Sequence, residues 1–253
     1  MVDDKDSARK VALITGGATG VGQACALQFA QLGWNVVINY SRSEREASET
    51  LALLKDFGGR AMIHQCDVSS DRAVREMIAV VDKHYGRLDA LVNNAAMTHF
   101  VEHHDLEGMT EEMWDRILAV NLKGAFFCTR AAAHLLAAGE GGAVVNVSSV
   151  AGQTGLGSSI AYCASKAGLS TMTKSLARVM APKVRVNAVC PGPIDSRWIR
   201  EGNPSWDLEK MVANYPLRKA SQPKDIADAV LFLCVGSTMT TGQLLTVDGG
   251  QTL

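Results

Sequence analysis

The stretch VALITGGATGVGQACALQFAQLG, residues 11–33, limits what this chain can fold into more than any other. It opens with a short apolar run of strand type. A glycine-rich turn follows at once, and apolar residues then recur at helical spacing up to a stop at Gly33. The next run, NVVINY, is again of strand type. Strand, turn, helix and strand in that order make two parallel strands joined by a crossover helix.

The unit repeats along the chain. A helix is expected over 43–57, a strand at RAMIHQCDV, a helix over 71–84, and a strand with its exit loop at LDALVNNAA. One or two helices over 110–137 lead to the strand GAVVNVSSV and a helix ending near 179. The strand VRVNAVCPG, a helix near 223–235 and a last strand in LLTVDGG complete the series. Seven strands alternating with helices predict an α/β fold with a mostly parallel seven-stranded sheet and helices on both faces. The inner strands read as nearly continuous apolar runs, as a twice-covered sheet requires. No Pro-, Gly- or Ser-rich linker divides the chain, so residues 1–253 are read as one domain.

Composition narrows the class. At 47% hydrophobic and 20% charged residues, a disordered or fibrous chain is excluded. A net charge of -1 without a basic tail argues against nucleic-acid and anionic-membrane partners. The start, MVDDKDSARK, is too polar for a signal peptide, and no apolar run approaches the roughly 20 residues that span a bilayer. Six cysteines without a CxxC pair fit reduced thiols in a cytoplasmic protein.

Gly16, Gly20 and Gly22 stand directly after the first strand and at the start of a helix. Glycines there allow a tight turn and bring backbone N–H groups up to a pyrophosphate at the helix N-terminus. A single doubly wound domain of Rossmann type, binding a dinucleotide, is therefore expected, although the spacing is GxxxGxG rather than GxGxxG. The second strand ends in NYSRSER, with Ser41 and Arg42 and no acid before Glu44. A carboxylate would bind the ribose hydroxyls of NAD, whereas a hydroxyl and a guanidinium suit a 2′-phosphate. NADP(H) is favoured, with NAD(H) as the alternative. Asp67, ending the third strand, suits either the adenine amino group or the cap of the helix starting near Asp71.

Other strand ends bring Asn93 and Asn94, then Ser148 and Ser149, to the same rim of the sheet. The following helix carries Tyr162 and Lys166, four residues apart and so on one side. Hydride transfer to a carbonyl develops negative charge on oxygen, which needs a hydrogen bond and a proton. Ser149 can polarise the carbonyl and Tyr162 can deliver the proton. Lys166 can lower the tyrosine pKa, with help from a cationic nicotinamide, and hold the ribose hydroxyls.

From Lys10 to Leu253 the chain resembles the classical short-chain dehydrogenase/reductase family, and 3-oxoacyl carrier-protein reductases within it. The family's TGxxxGxG matches TGGATGVG, its NNAG matches NNAA, and its YxxxK matches YCASK. Its catalytic serine, thirteen residues before the tyrosine, matches Ser149 rather than Ser148. The resemblance assigns Asn121 to the catalytic tetrad, holding a backbone kink and a water linked to the lysine. It implies cofactor contacts at Gly16, Thr19, Gly20, Val21, Gly22, Asp67, Val68, Asn94, Ala95, Tyr162 and Lys166. In PGPIDS it adds Pro191, Gly192, Ile194 and Ser196, with the serine replacing a threonine. Ala96 replaces a glycine, and Thr19 stands where many NADP users carry a basic residue.

The resemblance also implies a variable substrate lid at about 195–215, here with Trp198, Ile199, Trp206 and Met211. Thr98, His99 and Phe100 form the facing wall. NADPH-dependent reduction of a 3-oxoacyl thioester or similar ketone is the leading expectation, ahead of oxidation of a polyol, sugar or cyclic alcohol. A dinucleotide-binding protein without activity is the remote alternative, disfavoured because Ser149, Tyr162 and Lys166 are all present. His99, His103 and His104 lack the spacing of a metal site, so no metal is expected. Family members assemble as tetramers or dimers, so a homotetramer is expected, built through residues 103–137 and 150–180 and through the last helix and strand.

Overall fold

The apolar runs become seven strands: Val11–Ile14 (β1), Asn35–Tyr40 (β2), Ala61–Gln65 (β3), Ala90–Asn93 (β4), Gly142–Val147 (β5), Val184–Pro191 (β6) and Leu244–Val247 (β7). The computed structural model describes residues 9–202 and 206–253. All neighbouring strands pair in parallel, in the order β3-β2-β1-β4-β5-β6-β7. The chain builds outward from β1 to β3, then returns to the other side of β1 with β4. The point where strand order reverses opens a crevice at the carboxyl ends of β1 and β4, where ligands of open α/β sheets bind.

The helices are Gly20–Gln31 (α1), Glu44–Leu54 (α2), Asp71–Tyr85 (α3), Glu111–Leu118 (α4), Ala125–Ala138 (α5), Ala151–Thr154 (α6), Ile160–Met180 (α7), Arg197–Gly202 (α8), Leu208–Val212 (α9) and Pro223–Leu231 (α10). Because side chains alternate across a strand, each inner strand feeds two cores. Ala12, Ile14, Val36, Ile38 and Val92 pack with Phe29 of α1, Leu54 of α2 and Ile226 of α10. Val11, Leu13, Val37 and Leu91 pack on the other face with Met77 of α3 and Leu136 of α5. Both sets are fully or almost fully buried, which accounts for the continuous apolar runs.

The helical stretch expected over 110–137 runs from Glu111 to Ala138 and is interrupted by one π-helical turn at Ala119–Gly124. Such turns insert a residue into the helix and often mark functional sites. The expected lid holds α8 and α9, whose Ile199, Leu208 and Val212 form a small core of their own. Residues 203–205 of the expected lid, and residues 1–8 of the polar N-terminus, lie outside the described residues. No helix among the described residues is long and apolar enough to cross a membrane.

Candidate active site

The glycine turn requires glycine for two different reasons. Gly16 and Gly20 have φ of 61° and 55°, in the left-handed region that side chains avoid. Gly22 lies behind the turn rather than on the cleft wall. A Cβ there would sit 2.2 Å from the Gly16 carbonyl oxygen and 2.7 Å from Asn94 Nδ2. Gly22 therefore serves the close packing of helix on turn, and its ligand role is indirect.

Neighbouring polar side chains hold the turn. Asn94 Nδ2 donates to the carbonyls of Thr15 and Gly16, both at 3.0 Å. Thr15 Oγ1 accepts from the Asn94 and Ala95 N–H groups at 3.0 Å each. Asn39 Oδ1 accepts from Gly16 N, and Thr50 Oγ1 donates to the Ala18 carbonyl. Thr15, Asn39 and Thr50 are buried and escaped the sequence reading, because nothing in a single strand or helix says which loop its polar residue will brace.

A cleft of about 1040 Å³ opens above this turn. Gly16, Thr19, Gly20, Val21, Ser41, Arg42, Asp67, Val68, Asn94 and Ala95 line one end. Ser149, Tyr162, Lys166, Pro191, Gly192, Ile194 and Ser196 line the other. Ala96, the departure from the family's glycine, is also on the wall. The bare-backbone cradle, the Ser41–Arg42 end and the Ser-Tyr-Lys end lie in one continuous space, so the residues present fit a dinucleotide. Ser41 and Arg42 are exposed, and no carboxylate is paired with Arg42 among the described residues.

Asp67 does not cap the next helix, since that cap is Ser70, whose hydroxyl accepts from Ala73 N at 3.3 Å. Asp67 Oδ1 instead accepts from the backbone and hydroxyl of Ser69, and Oδ2 pairs with Arg116 at 2.7 Å. Partial burial tends to raise the Asp67 pKa, but Arg116 and Ser69 outweigh it and hold the carboxyl below its ordinary range. Arg116 reaches the cleft wall from α4, a contact that no spacing in the sequence announces.

Tyr162 and Lys166 lie in the first two turns of α7, which is capped by Ser159 accepting from Tyr162 N at 3.3 Å. The surrounding small residues let other backbone come close. A Cβ on Gly152 of α6 would meet Ala167 N at 2.5 Å. Lys166 is 2% exposed, donates from Nζ to the Val147 carbonyl at 2.8 Å, and lies 5.6 Å from the Tyr162 ring centroid. Burial lowers its pKa to about 8, against an opposing pull from Cys190. Burial raises the Tyr162 phenol to about 12, with the neighbouring Ser149 hydroxyl working the other way. Among the protein's own groups burial outweighs any lowering by Lys166, so the phenol is protonated at neutral pH.

The two serines divide their work. Ser148 is buried, donates to the Lys166 carbonyl at 3.0 Å and shares a 2.8 Å hydrogen bond with Ser170. Ser149 Oγ accepts from Ala151 N at 3.1 Å, and Ser149 lines the cleft together with the tyrosine. Asn121 sits in the π-helical turn beneath the cleft and is 1% exposed. Its Oδ1 accepts from Met97 N at 2.8 Å, and its Nδ2 donates to the Met97 carbonyl and Ser165 Oγ. It thus ties the β4 exit loop to the tyrosine helix. Asn121→Ala strips partners from the buried Ser165 hydroxyl and from two part-buried backbone groups of Met97, and a loss of about 2–4 kcal/mol is expected, read as a lower denaturation midpoint.

On the lid side, Arg197 pairs with Glu46 of α2 at 3.3 Å, joining the two rims of the cleft. Trp198 stands over the tyrosine, ring centroids 6.3 Å apart, and Phe100 meets Trp206 edge-on at 5.3 Å. His103 donates to the Gly157 carbonyl at 3.1 Å, clasping the facing loops together.

A doubly wound sheet, a glycine cradle at its switch point and a Ser-Tyr-Lys group in the same cleft define an NAD(P)-linked oxidoreductase acting on CH–OH or C=O groups. Comparison with known proteins agrees. The family model described as enoyl-(acyl carrier protein) reductase matches residues 16–252. The chain is 43% identical to "Granaticin polyketide synthase putative ketoacyl reductase 2" of Streptomyces violaceoruber, covering 96% of each chain. It is 37% identical to a 3-oxoacyl-(acyl-carrier-protein) reductase of Staphylococcus aureus, covering 96% of this chain and 98% of that one. Among solved structures, a short-chain dehydrogenase/reductase from Burkholderia xenovorans superposes with a TM-score of 0.90 at 38% identity, covering 96% and 98% of the two chains. The chain belongs to the classical short-chain dehydrogenase/reductase family.

Proposed function

We propose that the protein reduces a ketone, a 3-oxoacyl thioester or similar carbonyl, to a secondary alcohol with NADPH. The observation that carries this reading is the half-buried Tyr162, whose phenol stays protonated at neutral pH and shares one end of the cleft with Ser149 and Lys166. A proton donor is what the reductive direction needs. Bound NADPH supplies the hydride to the carbonyl carbon. Ser149 donates a hydrogen bond to the carbonyl oxygen, and Tyr162 delivers its proton there as charge develops. Lys166, anchored on Val147, orients the ribose beside the tyrosine, and Ser41 with Arg42 receives the 2′-phosphate.

The test follows absorbance of NADPH and of NADH against simple ketones, 3-oxoacyl thioesters and polyols. NADPH consumed with a ketone is the expected result. Binding of both cofactors without consumption would favour a dinucleotide-binding protein.

The expected homotetramer draws support from two exposed apolar faces. Phe126 on α5 is 36% exposed, and Val235 and Met239 after α10 are 44% and 92% exposed. Sedimentation equilibrium should give four protomers. The double change Val235→Glu with Met239→Glu should give a smaller species.

A further inference from the structure

At the Asp67 end of the cleft, three side chains form a closed ring of hydrogen bonds. Arg116 donates from Nη2 to Asp67 Oδ2 and from Nη1 to Ser69 Oγ, both at 2.7 Å. Ser69 completes the ring, donating to Asp67 Oδ1 from its hydroxyl at 2.7 Å and from its N–H at 3.0 Å. The helical stretch that carries Arg116 also presses on the loop further along. A Cβ on Gly124, in the π-helical turn after α4, would meet Val68 Cγ2 at 2.8 Å. Residues 116 and 124 thus fix the loop 67–69 at two points.

A carboxylate offers about four acceptor positions. Ser69 takes two on Oδ1 and Arg116 takes one on Oδ2, which leaves one on Oδ2 among the described residues. Asp67 and Arg116 both line the cleft, with side chains 42% and 37% exposed, so the remaining position can meet a bound ligand. An ion pair that exposed contributes little to the stability of the fold. What the ring fixes is direction, and a side chain already held in place loses no further freedom when a ligand arrives.

On the reading of the cleft as a dinucleotide site with Asp67 as acceptor for the adenine amino group, we propose that Arg116 is the positioning residue of that end. It aims the open acceptor position of Asp67 into the cleft and so gives the site its selectivity for a 6-aminopurine.

Charge supplies an independent handle. Burial pushes the Asp67 carboxyl up, and the bonds from Arg116 and Ser69 bring it below its ordinary range. The other ionisable groups on this side are paired or neutral. On α3, Asp71 pairs with Arg75 and Arg130, and Glu76 pairs with Arg72. Burial pushes the Cys66 thiol up to about 11. Without Arg116, burial meets only Ser69, so Asp67 takes up its proton, and stops accepting there, at a higher pH.

The test measures dissociation constants, by nicotinamide fluorescence, for NADPH and for its deamino analogue, in which hypoxanthine replaces adenine. Hypoxanthine turns a carbonyl oxygen toward Asp67 where adenine has N–H groups, so the wild type should bind NADPH about tenfold more tightly. Arg116→Met should cut that preference to about twofold. Arg116→Lys keeps the charge without the two-pronged grip and should restore part of it. The preference is a ratio within one variant, so a partly folded sample leaves it unchanged. Asp67→Ala should abolish the preference, and adding Arg116→Met to it should change the ratio no further. The ratio of NADPH to NADH affinity should hold in Arg116→Met, since Ser41 and Arg42 are untouched. A pH series with NAD+, which lacks the titrating 2′-phosphate, should show affinity falling at a higher pH in Arg116→Met than in the wild type. An adenine preference or a pH series that Arg116→Met leaves unchanged would overturn the positioning role. Equal binding of NADPH and its analogue by the wild type would overturn both that role and the reading of Asp67, and leave ketone reduction standing. A wild type that binds neither would overturn the dinucleotide reading itself.

Discussion

Tyr162→Phe is expected to lower kcat for ketone reduction by about 10³-fold or more while leaving the dissociation constant of NADPH within about twofold. The substitution removes one oxygen and keeps the ring, so the contacts with Trp198 and Lys166 and the packing of α7 persist. In the proposed mechanism the hydroxyl is the proton source and one of two donors to the developing oxyanion. Ser149→Ala removes only the other donor, and a smaller loss, about 10²-fold, is expected. Stopped-flow absorbance gives the rate, and quenching of protein fluorescence by NADPH gives the binding. A Tyr162→Phe enzyme retaining a tenth of the rate would take the proton-donor role away from this residue.

The pH profile follows from the same two groups. Tyr162 stays protonated through the neutral and mildly alkaline range, because burial holds its pKa up at about 12. Lys166 is depressed to about 8, so its charge is present below that pH and lost as pH rises through it. Reduction should therefore decline above about pH 8, with Lys166 and not Tyr162 as the group responsible. A profile flat to pH 9.5 would show that the ammonium charge plays no part in the rate-limiting step.

The sequence made the sheet and the reacting pair legible for a common reason: both depend on spacing. Strands buried on two faces must be apolar throughout, and a pair four apart on a helix must share a side. The braces beneath the site were not legible in that way. Asn121 could be named only through family resemblance, since its three partners come from segments 24 and 44 residues away. Arg116, Thr15, Asn39 and Thr50 act on loops to which no local pattern connects them. Asp67 was readable as an acceptor, but its actual partners, Ser69 and Arg116, were decided by how α4 packs. Long-range polar contacts are set by tertiary geometry, and a single sequence carries no periodic trace of them.

Cofactor choice is the other place where a large effect is expected from a small change. Arg42 is exposed at the cleft end, unpaired with any carboxylate among the described residues, and next to the Ser41 hydroxyl. Charge-assisted hydrogen bonds to a phosphate contribute about 1.5–3 kcal/mol, so Arg42→Ala should cost NADPH about 10- to 100-fold in kcat/KM and barely affect NADH. Ser41→Asp adds a carboxylate that repels the 2′-phosphate and accepts from the ribose hydroxyls of NADH. Together the two changes should move the NADPH-to-NADH ratio of kcat/KM by about 10²- to 10³-fold, and not by the plain sum of the two free energies, because neighbouring residues that share one phosphate are coupled. Salt separates charge from shape: because Arg42 is solvent-exposed, rising ionic strength should raise KM for NADPH in the wild type and leave KM for NADH nearly constant. In the double variant that salt dependence should reverse, because salt then screens the repulsion introduced at position 41. A wild type that prefers NADH, with no salt effect on NADPH, would mean that Arg42 is a solvated loop residue and that the 2′-phosphate is read elsewhere or not at all.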